Sequence, residues 1–172
     1  MIRTVMNLVT IFIVALAVTA GSVRAAEIDK NLMIFKDLIG KQWEGHFEDA
    51  NEPMTLYMSW EQVIDGAAIQ MNGWSNSSDM KRLNIYYFDR AKNQVAFLAM
   101  TSNGYISTGT VQSEDSALVF LGQQTGPDGK VRDMKSRWEF MPDGTMRNIG
   151  YRLENSEWLP GHKIVYKAAD SK

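Results

Sequence analysis

Met54-Thr55-Leu56-Tyr57-Met58-Ser59-Trp60-Glu61-Gln62-Val63-Ile64 runs directly into Asp65-Gly66. Met54, Leu56, Met58 and Trp60 fall on one side of a two-residue period. Thr55, Tyr57, Ser59 and Glu61 fall on the other, as in a strand with one buried face. Asp-Gly is a favoured hairpin dipeptide because its backbone readily takes the positive φ of a tight turn. The stretch therefore reads as a strand over 54–64, a turn, and an antiparallel partner from Ala67 to Trp74.

The same pattern extends in both directions. Upstream, Trp43, Gly45 and Phe47 alternate with Gln42, Glu44, His46 and Glu48 in a first strand. Downstream, strands are expected over Lys81 to Phe88, Gln94 to Thr101, Tyr105 to Gln112, Ala117 to Gln123, Val131 to Met141, Thr145 to Leu153 and Trp158 to Lys167. Turn-forming runs separate them, such as Ser102-Asn103-Gly104, Gly126-Pro127-Asp128-Gly129 and Pro142-Asp143-Gly144. Such connections are too short for the crossovers that parallel pairing needs, so the strands form an antiparallel meander. An open sheet of that length would expose two long unpaired edges, and closure removes them. The expected fold is all-β, a single closed antiparallel barrel of about ten strands. A short amphipathic helix precedes it over Ile28 to Leu38, where Leu32, Ile34, Phe35 and Leu38 recur at three- and four-residue spacing before Gly40. The fold alternative is a two-sheet sandwich.

Residues 1–25 have Arg3 and Arg24 around the apolar run Leu8 to Val18, with Val23-Arg24-Ala25 as a small-residue processing site. This is a secretory signal pattern, too short in its apolar run to be read as a bilayer span of ~20 residues. Residues 26–172 are then one mature domain, periplasmic or secreted, with no stable membrane anchor after processing. The whole chain has 18 basic and 20 acidic residues, and loss of Arg3 and Arg24 leaves it mildly acidic with interspersed signs. That distribution gives no footprint for nucleic acid. Cysteine is absent, which excludes thiolate chemistry and Cys-ligated zinc.

Chemistry has little to draw on. His46 and His162 are the only histidines, no Gly-x-Ser-x-Gly elbow frames a serine, and the glycines form neither a Rossmann nor a Walker spacing. His46 lies with Glu44 and Glu48 on the polar side of the first strand, read as an outer face. No catalytic residue and no metal site is assigned. Five tryptophans, six tyrosines and the methionines of the mature region supply the material of an apolar cavity. A barrel of more than eight strands encloses more space than side chains readily fill. Taking the less polar face of each strand as the inner one gives Met58, Trp60, Met71, Tyr87, Met100 and Trp138 as lining residues that bind the ligand. Arg132, Lys135, Arg137, Arg147 and Arg152 crowd the late strands, most of them read as outer-face charges.

Phe35-Lys36-Asp37-Leu38-Ile39-Gly40-Lys41-Gln42-Trp43-Glu44-Gly45, together with Trp60-Glu61-Gln62-Val63-Ile64-Asp65-Gly66, Tyr86-Tyr87-Phe88-Asp89, Thr101-Ser102-Asn103-Gly104 and Trp158-Leu159-Pro160-Gly161, resembles secreted bacterial lipocalin-like domains of unknown function. The resemblance implies a calycin-type barrel, related in shape to fatty-acid-binding proteins and nitrobindin-like haem barrels. That one of Arg132, Lys135, Arg137, Arg147 and Arg152 faces inward and pairs with a ligand carboxylate is what a resemblance to fatty-acid-binding barrels would imply. Two residues, Lys41 and Gln42, stand between glycine and tryptophan where the lipocalin opening has one. His162 is the one late histidine that a haem barrel could use as a haem or metal ligand, but without that family's surrounding pattern. No cofactor is required by the sequence. The functional expectation is a carrier or sensor that holds a small, mainly apolar molecule in its lumen. The alternatives are an enzyme using a lumen histidine or carboxylate, and an interaction module with a filled barrel.

Overall fold

The computed structural model describes residues 27–48 and 54–169, so the expected export segment, residues 1–25, lies outside the described residues. Ten strands follow one another: β1 (Gln42–Phe47), β2 (Thr55–Val63), β3 (Ala68–Ser75), β4 (Lys81–Asp89), β5 (Gln94–Thr101), β6 (Ile106–Glu114), β7 (Ala117–Thr125), β8 (Val131–Phe140), β9 (Met146–Glu154) and β10 (Glu157–Ala168). Each pairs antiparallel with its sequence neighbours, and β1 pairs with β10 to close a single barrel. The closing register runs from Trp43 opposite Ala168 to Phe47 opposite Ile164.

The helix before the barrel is shorter and more tightly wound than the expected span. Within the expected span of 28–38, a six-residue 3-10 helix runs over Lys30–Phe35, with the Asp29 side chain accepting from the Asn31 backbone N–H. Leu32, Phe35 and Leu38, at intervals of three, are all fully buried, and three residues per turn is the 3-10 period. The segment is anchored by the Asp29 N–H donating to the Gly66 carbonyl and the Gly40 N–H to the Trp60 carbonyl.

This segment closes one end of the barrel. The Phe35 ring lies 4.7 Å from that of Tyr86 and 5.8 Å from that of Trp60, and those two stack at 5.2 Å. Trp138, Phe120 and Phe97 extend the cluster, with Trp138 edge-on to Trp60. The lower half of the barrel is thereby filled by large rings at favourable offset and edge-to-face spacings. Phe35→Ala removes the ring that joins plug to floor and should cost about 3–5 kcal/mol, as for a buried Phe left as a cavity. Urea unfolding measures it, and a loss under about 1 kcal/mol contradicts the plug.

The β2–β3 turn begins one residue earlier than Asp65. Ile64 and Asp65 both sit at φ +51°, followed by Gly66 at φ +80°. A β-branched residue is strained in the left-handed region, and Ile64 is 74 % exposed, so it gains little packing in return. Ile64→Asn should raise stability by about 1 kcal/mol in the same assay. A loss instead would mean the side chain matters.

Candidate functional site

Above the aromatic floor the lumen is not filled. Two cavities of about 220 and 280 Å³ share Arg82, Trp138, Asn148 and His162, so they form two lobes of one space. Each is just under the ~300 Å³ at which small-molecule sites usually begin, and together they fall within that range.

The larger lobe is apolar. Leu56 and Met58 on β2, Met71 on β3, and Ile164 and Tyr166 on β10 are among its lining residues. Gly45 leaves it room: a Cβ there would overlap the Tyr166 ring, which packs flat into the space that glycine leaves on the facing strand. Burial pushes the Tyr166 hydroxyl up to about 12, so it stays neutral and hydrogen-bond competent at ordinary pH. At the rim, Tyr57 and Trp74 stack at 5.7 Å.

The smaller lobe is polar. Asn84, Ser107 and Asn148 are buried in its wall, with Gln124 and Ser136 beside them. Asn84 Nδ2 donates to the Tyr86 hydroxyl at 2.8 Å, while Asn84 Oδ1 is buried with no protein partner. Gln124 Nε2 donates to Ser107 Oγ at 3.3 Å. No Asp or Glu lines either lobe among the described residues.

His162 stands where the lobes meet because of a local break in β10. Pairing with β9 is regular to Pro160 opposite Tyr151 and resumes at Lys163 opposite Ile149. Gly161 and His162 together face the single Gly150, which is a β-bulge. Proline supplies no ladder N–H, and Gly161 leaves a small residue in the extra position. The His162 ring occupies the space a Gly150 side chain would take, with its other side edge-on to Phe47 at 6.1 Å. Its outer edge meets solvent, yet burial of the ring, and secondarily the Arg82 charge, hold its pKa below the ordinary 6.5. It is therefore neutral at pH 7.

Four of the expected lining residues, Met58, Trp60, Met71 and Trp138, are buried inside the barrel, Trp60 in the floor and the others on lobe walls. Tyr87 and Met100 are not inside: they are 41 % and 36 % exposed on the outer face. Strand β4 is inverted relative to the rule that the less polar face turns inward. Leu83, Ile85 and Tyr87 face out, opposite Met100, Leu98 and Ala96 of β5, while Arg82, Asn84 and Tyr86 face the lumen.

Of the late basic residues, Lys135 is among those lining the polar lobe, and the other four lie elsewhere. Arg137 pairs with Glu114 and Glu139, Arg147 with Glu139, and Arg152 with Glu154. Hydrogen bonds from Arg147, then from Arg137, hold the Glu139 carboxyl below the usual carboxylate range. The Lys135 ammonium lies 5.1 Å over the Tyr151 ring, and Arg132 lines a rim pocket with Asp128. The cation common to both lobes is Arg82, which sequence reasoning missed. The available signal was the alternation Arg82-Asn84-Tyr86 on one strand, a polar series ending in a ring that needs a partner.

His46 lies outside, 3.3 Å from Glu44, and Glu48 is 3.9 Å from Lys163. Among the described residues no group of three or more His, Asp or Glu side chains is disposed to hold a metal ion. Among the described residues His162 is the one histidine that lines the lobes, so it is the histidine a haem or metal would have to use. No protein-family model and no curated protein matches the chain. No helix among the described residues is long and apolar enough to cross a membrane.

Ring-proton NMR titration of His162 should give a midpoint below 6.5, and Arg82→Met should move it part of the way back up, since burial remains. A midpoint at or above 6.5 contradicts the packing of the ring over Gly150 beside Arg82.

Proposed function

We propose that the barrel holds a small, mainly apolar molecule in its lumen, as a carrier or sensor and not as a catalyst. The observation that carries this reading is the apolar lobe, walled by Leu56, Met58, Met71 and Ile164, lying above a floor already filled by rings. Methionines there favour a range of ligand shapes, because their unbranched side chains repack at low cost. The catalytic alternative lacks a carboxylate to orient His162 among the described lobe residues, and the filled-barrel alternative is at odds with two lobes of this size. The basic-flanked apolar run of residues 1–25 supports placing this activity in the periplasm or outside the cell.

Titration with the neutral fluorophore N-phenyl-naphthylamine tests the reading. Its emission should rise and saturate at one site per chain. Leu56→Trp, which puts a larger apolar side chain into the lobe near its mouth, should weaken that binding by about tenfold while leaving the circular dichroism spectrum unaltered. No emission rise, or equal affinity in the variant, would place any binding outside the lumen.

A further inference from the structure

The outer face of the barrel changes character around its circumference. On β8 it carries Asp133, Arg137 and Glu139, and on β1 and β2 it carries Glu44 and Glu61, as a sheet face turned to water does. Across β4, β5 and β6 the charges stop. Leu83 lies opposite Met100 and Met100 opposite Ile106, while Ile85 and Tyr87 lie opposite Leu98 and Ala96. The β6 positions that continue these last two rows are threonines. Tyr87, Met100 and Ile106 are all exposed. A contiguous apolar patch in solvent on an otherwise charged surface marks an interaction site.

The ends of β4 point to the partner. Its outward positions are Lys81, Leu83, Ile85, Tyr87 and Asp89, a cation at the mouth end, three apolar residues, and an anion at the floor end. Lys81 is exposed and forms no ion pair among the described residues. Asp89 Oδ1 accepts from the backbone N–H groups of Ala91 and Lys92, while its Oδ2 lies 4.0 Å from the Lys92 ammonium and keeps room for a second cation. A strand face with opposite charges at its two ends and none between is complementary to its own antiparallel copy.

We propose that two copies of this chain associate through the outer wall of β4, β5 and β6. The two-fold axis runs along the row of Ile85 and Leu98, and Lys81 of each copy meets the partner's Asp89. In this arrangement Leu83 lies over the partner's Tyr87, and the long Met100 over the partner's small Ala96. The outward positions of β5 are uncharged, so no like charges meet there. A two-fold axis along the strands would instead set Lys81 against its own copy and Asp89 against its own. The ion pairs select the orientation, and the apolar wall supplies most of the affinity.

Three strands ~4.8 Å apart, rising ~3.3 Å per residue, present roughly 400 Å² of wall per copy. That is the size of a reversible interface and not of a permanent one. Because β4 runs antiparallel to its copy, the two mouths open at opposite ends of the pair and neither is covered.

Sedimentation equilibrium over a concentration series at low salt is the test. The mass should rise from monomer to dimer and stop there, since a two-fold interface is closed. Ile85→Lys places two ammonium groups on the axis and should raise Kd at least about tenfold, with the circular dichroism spectrum unaltered because the position faces outward. Lys81→Asp and Asp89→Lys should each weaken self-association at least about threefold. An equimolar mixture of those two variants should recover the affinity of the unaltered protein, because each then meets the opposite sign.

A chain that stays monomeric up to about 1 mM overturns the proposal. So does a dimer that Ile85→Lys leaves intact, which would use another face. A dimer sensitive to Ile85→Lys but indifferent to both charge changes overturns the antiparallel arrangement. A monomer that co-sediments with phosphatidylethanolamine–phosphatidylglycerol vesicles gives the face to a membrane and overturns the dimer as well. None of these outcomes bears on lumen binding, which lies on the other side of the wall.

Discussion

The packing of Phe35 against Trp60 and Tyr86 is the contact on which the rest of the interior depends. A ten-stranded barrel is too wide for ordinary side chains to fill along its whole length. The 3-10 turn that delivers Phe35 closes one end, and the rings stacked above it fill the lower half. Closure at that end is what turns the remaining space into a lumen with one direction of approach. It also means that stability is concentrated in the floor and not at the mouth. The residues around the cavity are therefore free to be small, polar or charged.

That freedom is used most visibly on β10 and β4. The bulge at Gly161 and His162 re-aims the imidazole across Gly150, and the missing side chain of Gly45 makes room for the Tyr166 ring in the same way. Between them, Ile164 keeps the wall apolar. Opposite, β4 turns its polar face inward with Arg82 and Asn84, and Tyr86 joins this polar series to the aromatic floor through its hydroxyl. The lumen is amphipathic because two strands depart from regular alternation of polar-out and apolar-in.

Much of the barrel was legible because period two survives in nearly every strand. Gln94–Thr101 has the expected bounds, and the other strands begin and end within a few residues of expectation. Leu32, Phe35 and Leu38 fit both a 3.6-residue helix face and a strict three-residue period, so the sequence does not specify the 3-10 form of the helix. The lining was legible for β2, β3 and β8, where the inner face is the more apolar one. It was illegible for β4 and β5, where Leu83, Ile85, Tyr87 and Met100 lie outside. A shift by one residue exchanges a strand's faces, and a lumen that needs polar groups removes the one sequence cue to which face is inside. His162 was visible as a residue, but its position depended on a bulge that pairing alone creates.

Methionine-methyl NMR tests the central claim most directly, because the methionines sample both sides of the wall. Met58 and Met71 lie on the apolar lobe, while Met33 and Met100 are exposed outside it. Titration with decanoate on protein carrying labelled methionine methyls should shift Met58 and Met71 and leave Met33 and Met100 in place. Shifts confined to Met33 or Met100, or no shift at Met58 and Met71 at saturating ligand, would contradict binding within the lumen.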